Sequence, residues 1–305
     1  MLNSVLPIIV LFNPEKELLK RLLISLKDQV KDICIVDNSP ISVKNSIDDI
    51  LNIIPNKVEY FELNENKGIA TAQNIGIKYA KDNNYDHVLL LDQDSSLPDN
   101  MVKGLLTAEN ELLKKNIKVA TVGPAFIDEK TNESVNAIRA KLFYVKRIPV
   151  DINSIEPVGS DYIIASGSLI RMSILKEIGC MNDDLFIDWV DIEWGERANH
   201  LYGYKSFIIP TVIMRHSIGD ETSKALGRSI NLHSDFRNYF IVRNAVYLMR
   251  SKSMSFNSKL LYLIKVPQYV IYYSLMSKRK IYSLGLLTKA IFDGVISNMG
   301  KGHFK

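Results

Sequence analysis

"HVLLLDQDSS" (residues 87–96) decides how this chain is read. An apolar run, Val88 to Leu91, stops abruptly at two carboxylates, Asp92 and Asp94, with Gln93 between them. A short run that is apolar at every position reads as a strand covered on both faces, the habit of parallel sheets flanked by helices. Where such a strand ends, residues i and i+2 project to the same side, so Asp92 and Asp94 can reach a common ligand. The plainer alternative is a solvated turn whose aspartates cap the next helix.

The pattern around this stretch supports the covered strand. Short apolar runs at 4–12, 32–38, 57–63, 87–92 and 118–126 alternate with helical spacing at 15–29, 41–54, 68–83 and 99–116. This alternation predicts an α/β fold, a mostly parallel sheet flanked by helices. Ligands of such sheets bind beyond the carboxyl ends of the strands. Three of these runs end in acids or amides: Asp37 and Asn38, Asn64 and Asn66, and Asp92 and Asp94. Three polar endings on one sheet edge point to one site.

Residues 127–157 break the rhythm and read as an insertion or long loop. A strand-to-helix pattern returns at 161–179, a helix is predicted at 191–204, and 205–214 is extended. Beyond that the chain turns helical and basic. The net charge of +4 hides an asymmetry: residues 1–221 carry −8, whereas the remainder carries +12. A basic tail of this kind predicts an anionic partner: nucleic acid, a phospholipid surface or a phosphorylated lipid. Two cysteines, Cys34 and Cys180, make no disulfide framework, which favours a reducing compartment. The N-terminal "MLNSVLPIIVLFNP" has no basic region and no cleavage site, so it reads as the first strand rather than a signal peptide.

Two adjacent carboxylates repel unless a cation lies between them. An all-oxygen pair suits Mg²⁺ or Mn²⁺, which typically bridge a few carboxylates to substrate phosphates. "VDNSP" (36–40) places Asp37 and Asn38 at a second strand end, suited to a nucleobase or ribose. "NENKGIATAQNIGI" (64–77) sets Asn66 and Gly68 at a helix start, where open amides can meet phosphate, with Gln73 and Asn74 in the first turns. Each piece alone is explained as well by an ordinary capped helix or turn.

Taken together, the segments resemble an inverting family-2 glycosyltransferase of the GT-A fold, in its bacterial rhamnosyltransferase branch. They stand in order: "VLFNP" (10–14), "VDNS" (36–39), "NKGIATAQNIGI" (66–77), "LLLDQDS" (89–95), "SGSLIR" (166–171), "LFIDWVDIEWGERA" (185–198) and "RHSIGD" (215–220). The resemblance implies that Asp37, Asn38, Asn66, Gly68, Gln73 and Asn74 form the nucleotide pocket. It implies that Asp92 contacts the donor and Asp94 ligates the metal, with Arg215 and His216 near the diphosphate or the metal. It makes Asp191 the general base. The wider superfamily has Glu before this Asp, whereas Val190 stands here, as in the rhamnosyltransferase branch. Asp188 and Glu193 flank Asp191 as rivals, and Glu193 with Arg197 reads as an ordinary i, i+4 surface pair. His216 is expected in a loop. Gln93 fits the branch by resemblance, with no physical role apparent from sequence.

The resemblance divides the chain into a catalytic domain at 1–222 and a basic helical extension at 223–305. Within the first, about 1–126 would be the nucleotide-sugar half and about 158–222 the acceptor half. The donor it implies is dTDP-L-rhamnose, with galactofuranose, GlcNAc or glucose donors as alternatives. The acceptor would be a polyprenyl-diphosphate-linked glycan of a bacterial cell-surface polysaccharide such as O antigen or capsule. Within the extension, 260–277 is short for a span and holds Lys265 and Pro267, so lying on a membrane is favoured over crossing it. A helical subdomain packed on the catalytic domain explains the same pattern. These readings place the enzyme in the cytoplasm, on the inner face of the plasma membrane. Nucleic acid fits less well, because no recognised binding module accompanies the charge. A nucleotidyltransferase would carry a Gly-rich basic loop after the first strand, which "VLFNPEKEL" lacks. A nucleotide-sugar-binding module without chemistry would have little use for Asp92, Asp94 and Asp191 together.

Overall fold

The computed structural model describes residues 4–41, 47–128, 134, 136–216, 222–225, 228–231 and 234–304. The chain begins with β1 (Val5–Leu11), α1 (Lys16–Leu26), β2 (Asp32–Asp37), α2 (Asp48–Leu51), β3 (Lys57–Glu62), α3 (Ile69–Asp82) and β4 (His87–Asp92). It continues with α4 (Met101–Lys114), β5 (Val119–Asp128), a hairpin of β6 (Ala137–Ala140) and β7 (Val145–Ile148), β8 (Val158–Ser160) and β9 (Ser168–Arg171). Then come α5 (Met172–Ile178), α6 (Val190–Tyr202), β10 (Lys205–His216) and a small hairpin, β11 (Thr222–Ala225) with β12 (Arg228–Asn231). Three helices follow: α7 (Asp235–Leu248), α8 (Phe256–Met276) and α9 (Lys280–Ile296).

The main sheet has eight strands in the order β3-β2-β1-β4-β9-β5-β10-β8. Strands β1 to β4 pair in parallel, as do β5 and β10. The antiparallel members are β9, inserted between β4 and β5, and β8 on the edge beside β10. The alternation of apolar strands with amphipathic helices therefore produced the expected mostly parallel α/β sheet.

Both faces of the sheet are covered. On one face Leu19, Leu22, Leu23 and Leu26 of α1 join Leu105 and Leu112 of α4 over Ile9, Ile35, Leu89 and Leu91. On the other, Leu6, Ile8, Cys34, Val88 and Leu90 pack with α3, α5 and α6. The same apolar cluster runs on without a break into Tyr239, Phe240 and Val242 of α7, Leu261 of α8 and Leu287 of α9. Of the two expectations for the basic extension, packing on the catalytic layers is what these helices do.

Three elements differ from expectation. The helix predicted over 41–54 is reduced to the four residues of α2, with 42–46 outside the described residues. Its Ser, Asn, Asp and β-branched residues favour local turns over helix. The insertion at 127–157 contains the β6–β7 hairpin. The strand expected from residue 161 starts only at Ser168, because Gly167 takes a left-handed φ of 80° against Pro124 and redirects the chain.

Candidate active site

Strand register gathers the first carboxylates. Leu11 of β1 pairs with Asp37 of β2, and Val10 pairs with Asp92 of β4, so both acids stand at the same sheet edge on either side of β1. With neighbouring strands roughly 4.8 Å apart, their backbones lie about 10 Å apart. Asp37 is buried and held firmly. Its carboxylate accepts from the Ser39 amide at 2.9 Å and from the Tyr60 hydroxyl at 2.6 Å.

The turn after β4 is stitched down on both sides. Gln93 bonds the backbone of Phe12 twice, accepting from its amide at 2.7 Å and donating to its carbonyl at 3.2 Å. This ties the Asp92–Asp94 turn to the loop after β1, and it supplies the role for Gln93 that sequence alone did not show. On the other side, the Ser95 and Ser166 hydroxyls meet at 2.6 Å in the interior, and Arg21 donates to the Asp94 carbonyl at 3.2 Å. Asp94 is half-buried, and its carboxylate has no hydrogen-bond or ion-pair partner among the described residues. Among those residues, no three His, Cys, Asp or Glu side chains form a metal cage on their own. Two carboxylates at a fixed turn still fit a hard divalent cation that draws its remaining ligands from a diphosphate and water.

The segment before α3 is organised by amides. Asn38 donates to Asn66 Oδ1 at 3.0 Å and accepts from the Lys67 amide at 2.7 Å. Asn66 Oδ1 also accepts from the Gly68 amide, while the Ile69 amide donates to the Phe186 carbonyl at 2.7 Å. The amides of residues 67, 68 and 69 are thus occupied within the protein, which corrects the expectation that they are open to phosphate. Gly68, at φ 88°, is required here: a Cβ would lie 2.6 Å from Phe186. Asn74 does not face the sheet edge. Both ends of its amide bind the 181–183 turn, accepting from the Met181 amide and donating to Met181 O and to Asp183. Gln73 is buried, with an unpartnered Oε1, beside a small void that it shares with Asp191.

Asp191 lies in the first turn of α6. Its carboxylate accepts from its neighbour Ile192 N at 2.9 Å and from Ala165 N at 3.3 Å. Burial pushes its pKa up to about 6, against those two amides, and the charge of Asp92 adds to the rise. Asp191 is therefore close enough to Asp92 to feel its charge across the site. The two rivals have other work. Asp188 is paired with Arg237 at 2.7 Å. Glu193 is buried and paired with Arg197 at 3.2 Å, so this is an interior pair and not the surface one expected from spacing. Burial raises the pKa of Glu193 as well.

The backbone that delivers Asp191 is strained. Phe186, Asp188 and Trp189 all adopt positive φ, at 64°, 59° and 67°. Strain of this kind persists only where neighbours over-determine it. Here α7 does so. Asn244 donates to the carbonyls of Leu185, Ile187 and Asp188 at 2.9, 2.9 and 3.2 Å. Fully buried Arg243 donates to the carbonyls of Asp184, Leu185 and Gly300. Trp189 donates to the Ile241 carbonyl at 3.0 Å. Asn244 and Arg243 escaped sequence reading because an Arg-Asn pair in a basic helix looks like solvated surface.

Arg215 and His216 close β10, so His216 belongs to a strand end and not to a loop. Its backbone pairs with Asp128 at the same sheet edge as Asp92, but β9 and β5 stand between β10 and β4. Arg215 is exposed, and the remainder of "RHSIGD", residues 217–220, lies outside the described residues.

Comparison with known proteins agrees with this geometry. The Glycosyl transferase family 2 model matches residues 8–179, from β1 through α5. The chain is 33% identical to dTDP-rhamnosyl transferase RfbF of Shigella flexneri over 314 residues, 99% of each chain. Among solved structures it resembles S. aureus TarS 1-349 in complex with UDP-GlcNAc, with a TM-score of 0.54 and 16% identity, over 94% of this chain and 81% of that one. It also resembles GalNAc-T7 with UDP, GalNAc and Mn²⁺, with a TM-score of 0.57 and 15% identity. That match covers 91% of this chain and 58% of the other.

Proposed function

The chain belongs to glycosyl transferase family 2 and is a glycosyltransferase, and we propose that it transfers L-rhamnose from dTDP-L-rhamnose with inversion at the anomeric carbon. One observation carries the donor assignment. The likeness to the Shigella rhamnosyl transferase extends over 99% of both chains, well past the end of the family match at residue 179. It therefore includes α6, the strained turn and the helices that hold it.

In this reading Asp191 takes the proton from an acceptor hydroxyl. The oxygen attacks C1 of the sugar from the side opposite the diphosphate. The new C1–O bond forms as the bond from C1 to the diphosphate breaks, and dTDP leaves. General-base assistance is worth ~10²–10⁴ in rate, and a base with a pKa near the working pH is well matched to it. Asp94, with Asp92, would hold Mg²⁺ or Mn²⁺, which when bound offsets negative charge on the leaving diphosphate. Asp37 retains lone pairs for a base N–H beyond the bonds from Ser39 and Tyr60.

The acceptor is a hydroxyl of a lipid-linked glycan, reached at the inner face of the plasma membrane. What supports a membrane location is the outer surface of the last two helices. Leu263, Ile271 and Leu275 of α8 and Ile281, Phe292 and Val295 of α9 are exposed at helical spacing, beside exposed Lys278 and Lys280. Among the described residues, no helix is long and apolar enough to cross a membrane.

Nucleotide-sugar turnover tests the reading. Wild type should release dTDP from dTDP-L-rhamnose in an acceptor- and metal-dependent way, EDTA should abolish it, and Asp191→Asn should lower kcat by ~10² or more. Equal turnover by Asp191→Asn would remove Asp191 as the base. Preference for another nucleotide sugar would overturn the donor.

A further inference from the structure

A cleft of about 280 Å³ opens between the β6–β7 hairpin, the start of α6 and the flank of α8. Its walls are aromatic and acidic. Tyr162, Trp189, Tyr262 and Tyr269 supply ring surface, while Asp161 and Glu196 supply carboxylates. Trp189 stands edge-on to Tyr262 at a centroid distance of 4.7 Å. Flat aromatic walls with a few convergent acceptors match the chemistry of a saccharide, whose C–H faces lie on rings and whose hydroxyls donate to carboxylates. Asp161 and Glu196 line the cleft beside Lys265, and the charge of Asp188 is answered by Arg237. A lining without surplus positive charge offers little to a diphosphate and suits a neutral sugar.

The cleft is tied to the base. Trp189 and Ile192, which bracket Asp191 in sequence, both line it. Tyr162 packs on α6 at Gly195, one helical turn after Asp191, where a Cβ would lie 2.6 Å from the tyrosine's own Cβ. Gly195 thus leaves the room that Tyr162 occupies between base and cleft. The charges of Asp191, Glu196 and Asp161 all bear on the Tyr162 hydroxyl, which burial shifts upward in pKa. The far wall, at Ile138, Ala140 and Val145, belongs to the hairpin of the 127–157 insertion, and Asp161 anchors that hairpin by accepting from the Ala140 amide at 2.6 Å. The insertion is therefore one jaw of the cleft.

We propose that this cleft binds a sugar of the acceptor glycan, with Tyr269 and Trp189 as its stacking platform. The assignment rests on the transferase reading above, and its test separates the two. Whole protein is titrated with methyl α-glycosides of rhamnose, galactose, glucose and N-acetylglucosamine, read by saturation-transfer NMR, and separately with dTDP-L-rhamnose. At least one glycoside should bind wild type. Tyr269→Ala, a change at a half-buried wall residue, should weaken it about tenfold, and Tyr269→Phe should restore it. Neither change should move donor affinity. Should Tyr269→Ala not fold, Tyr269→Leu, with bulk but no ring, carries the same expectation. Glycoside binding that is undetectable, or unchanged in the ring-less variant, while dTDP-L-rhamnose is bound, overturns the cleft and leaves the transferase reading standing. Glycoside binding that depends on Tyr269 without binding or turnover of dTDP-L-rhamnose overturns the donor assignment instead.

Discussion

As the proposed general base, Asp191 carries opposed demands. A base must be ionised to accept a proton, yet burial and the charge of Asp92 favour its protonated form and lift its pKa to about 6 from 3.8. The sign follows directly. A carboxyl whose pKa is raised on folding stabilises the fold below about pH 4, and that contribution is lost as pH rises through about 6. Activity runs the other way, so kcat/KM should rise through an acid limb near pH 6. Asp191→Asn should lack the ionisation cost and melt higher than wild type at pH 7, by on the order of 2 kcal/mol, with little difference at pH 4. Thermal melts at both pH values check this, and a gain that is equal at both would mean that ionisation is not its cause. Gln73 lines the same small void as this carboxylate and has an unpartnered Oε1 among the described residues. Gln73→Leu removes a polar neighbour and should move the acid limb upward with little loss of stability, because no hydrogen bond is broken. A limb that stays in place would show that the void does not sense the base.

At the scale of elements, the delivery of Asp191 depends on a helix far from it in sequence. Asn244 of α7 satisfies three carbonyls of the turn at 185–189, and the turn holds three positive-φ residues, Phe186, Asp188 and Trp189. Asn244→Ala should cost about 2–3 kcal/mol, since the Ile187 and Asp188 carbonyls lose a donor inside the protein, whereas Leu185 keeps Arg243. It should lower kcat much more than it changes affinity for dTDP-L-rhamnose, because the turn positions the base and not the donor. Unfolding curves and donor titration measure both effects, and equal losses in kcat and donor affinity would argue for a general loosening instead. The contrast shows what sequence can carry. Strand ends such as Asp37 and Asp92 were legible because register follows from period and apolar runs. Asp191 was reached through resemblance, since an acidic helix start has an ordinary explanation. The Asn244 clamp, the Ser95–Ser166 contact and the Gln93 stitch were not legible, because each joins segments whose closeness only the tertiary fold creates. Asn74 was misplaced for the same reason: its position in α3 was predicted, but its partner turn at 181–183 was not.

For the whole molecule, charge counted along the sequence misstates what the C-terminal helices offer. Arg243 is fully buried, Arg237 pairs with Asp188, Arg279 with Asp235, Lys289 with Asp293 and Lys301 with Glu65. Arg279 and Lys289 thus answer the two acids already subtracted in the +12, while Arg243 and Arg237 are taken up inside the fold, and α7 cannot be removed without releasing the turn before α6. The surface proposed to meet a membrane is more apolar than the composition implied, being the outer rows of α8 and α9 with exposed Lys278 and Lys280 at their junction. Insertion of an apolar row into the lipid interface scales with the area buried and is insensitive to salt, whereas attraction through a few lysines is screened beyond about 10 Å at 0.1 M salt. Binding to anionic liposomes should accordingly weaken only in part between low and moderate salt. The double change Ile271→Glu with Ile281→Glu should abolish it, while Lys278→Gln with Lys280→Gln should remove mainly the salt-sensitive fraction. All four positions are exposed, so the variants should melt within about 0.5 kcal/mol of wild type. Vesicle co-sedimentation and light scattering at the same concentrations separate the outcomes. Loss of dimers in Ile271→Glu with Ile281→Glu, with no change in vesicle binding, would assign the apolar rows to a second copy of the chain and remove them as the membrane contact.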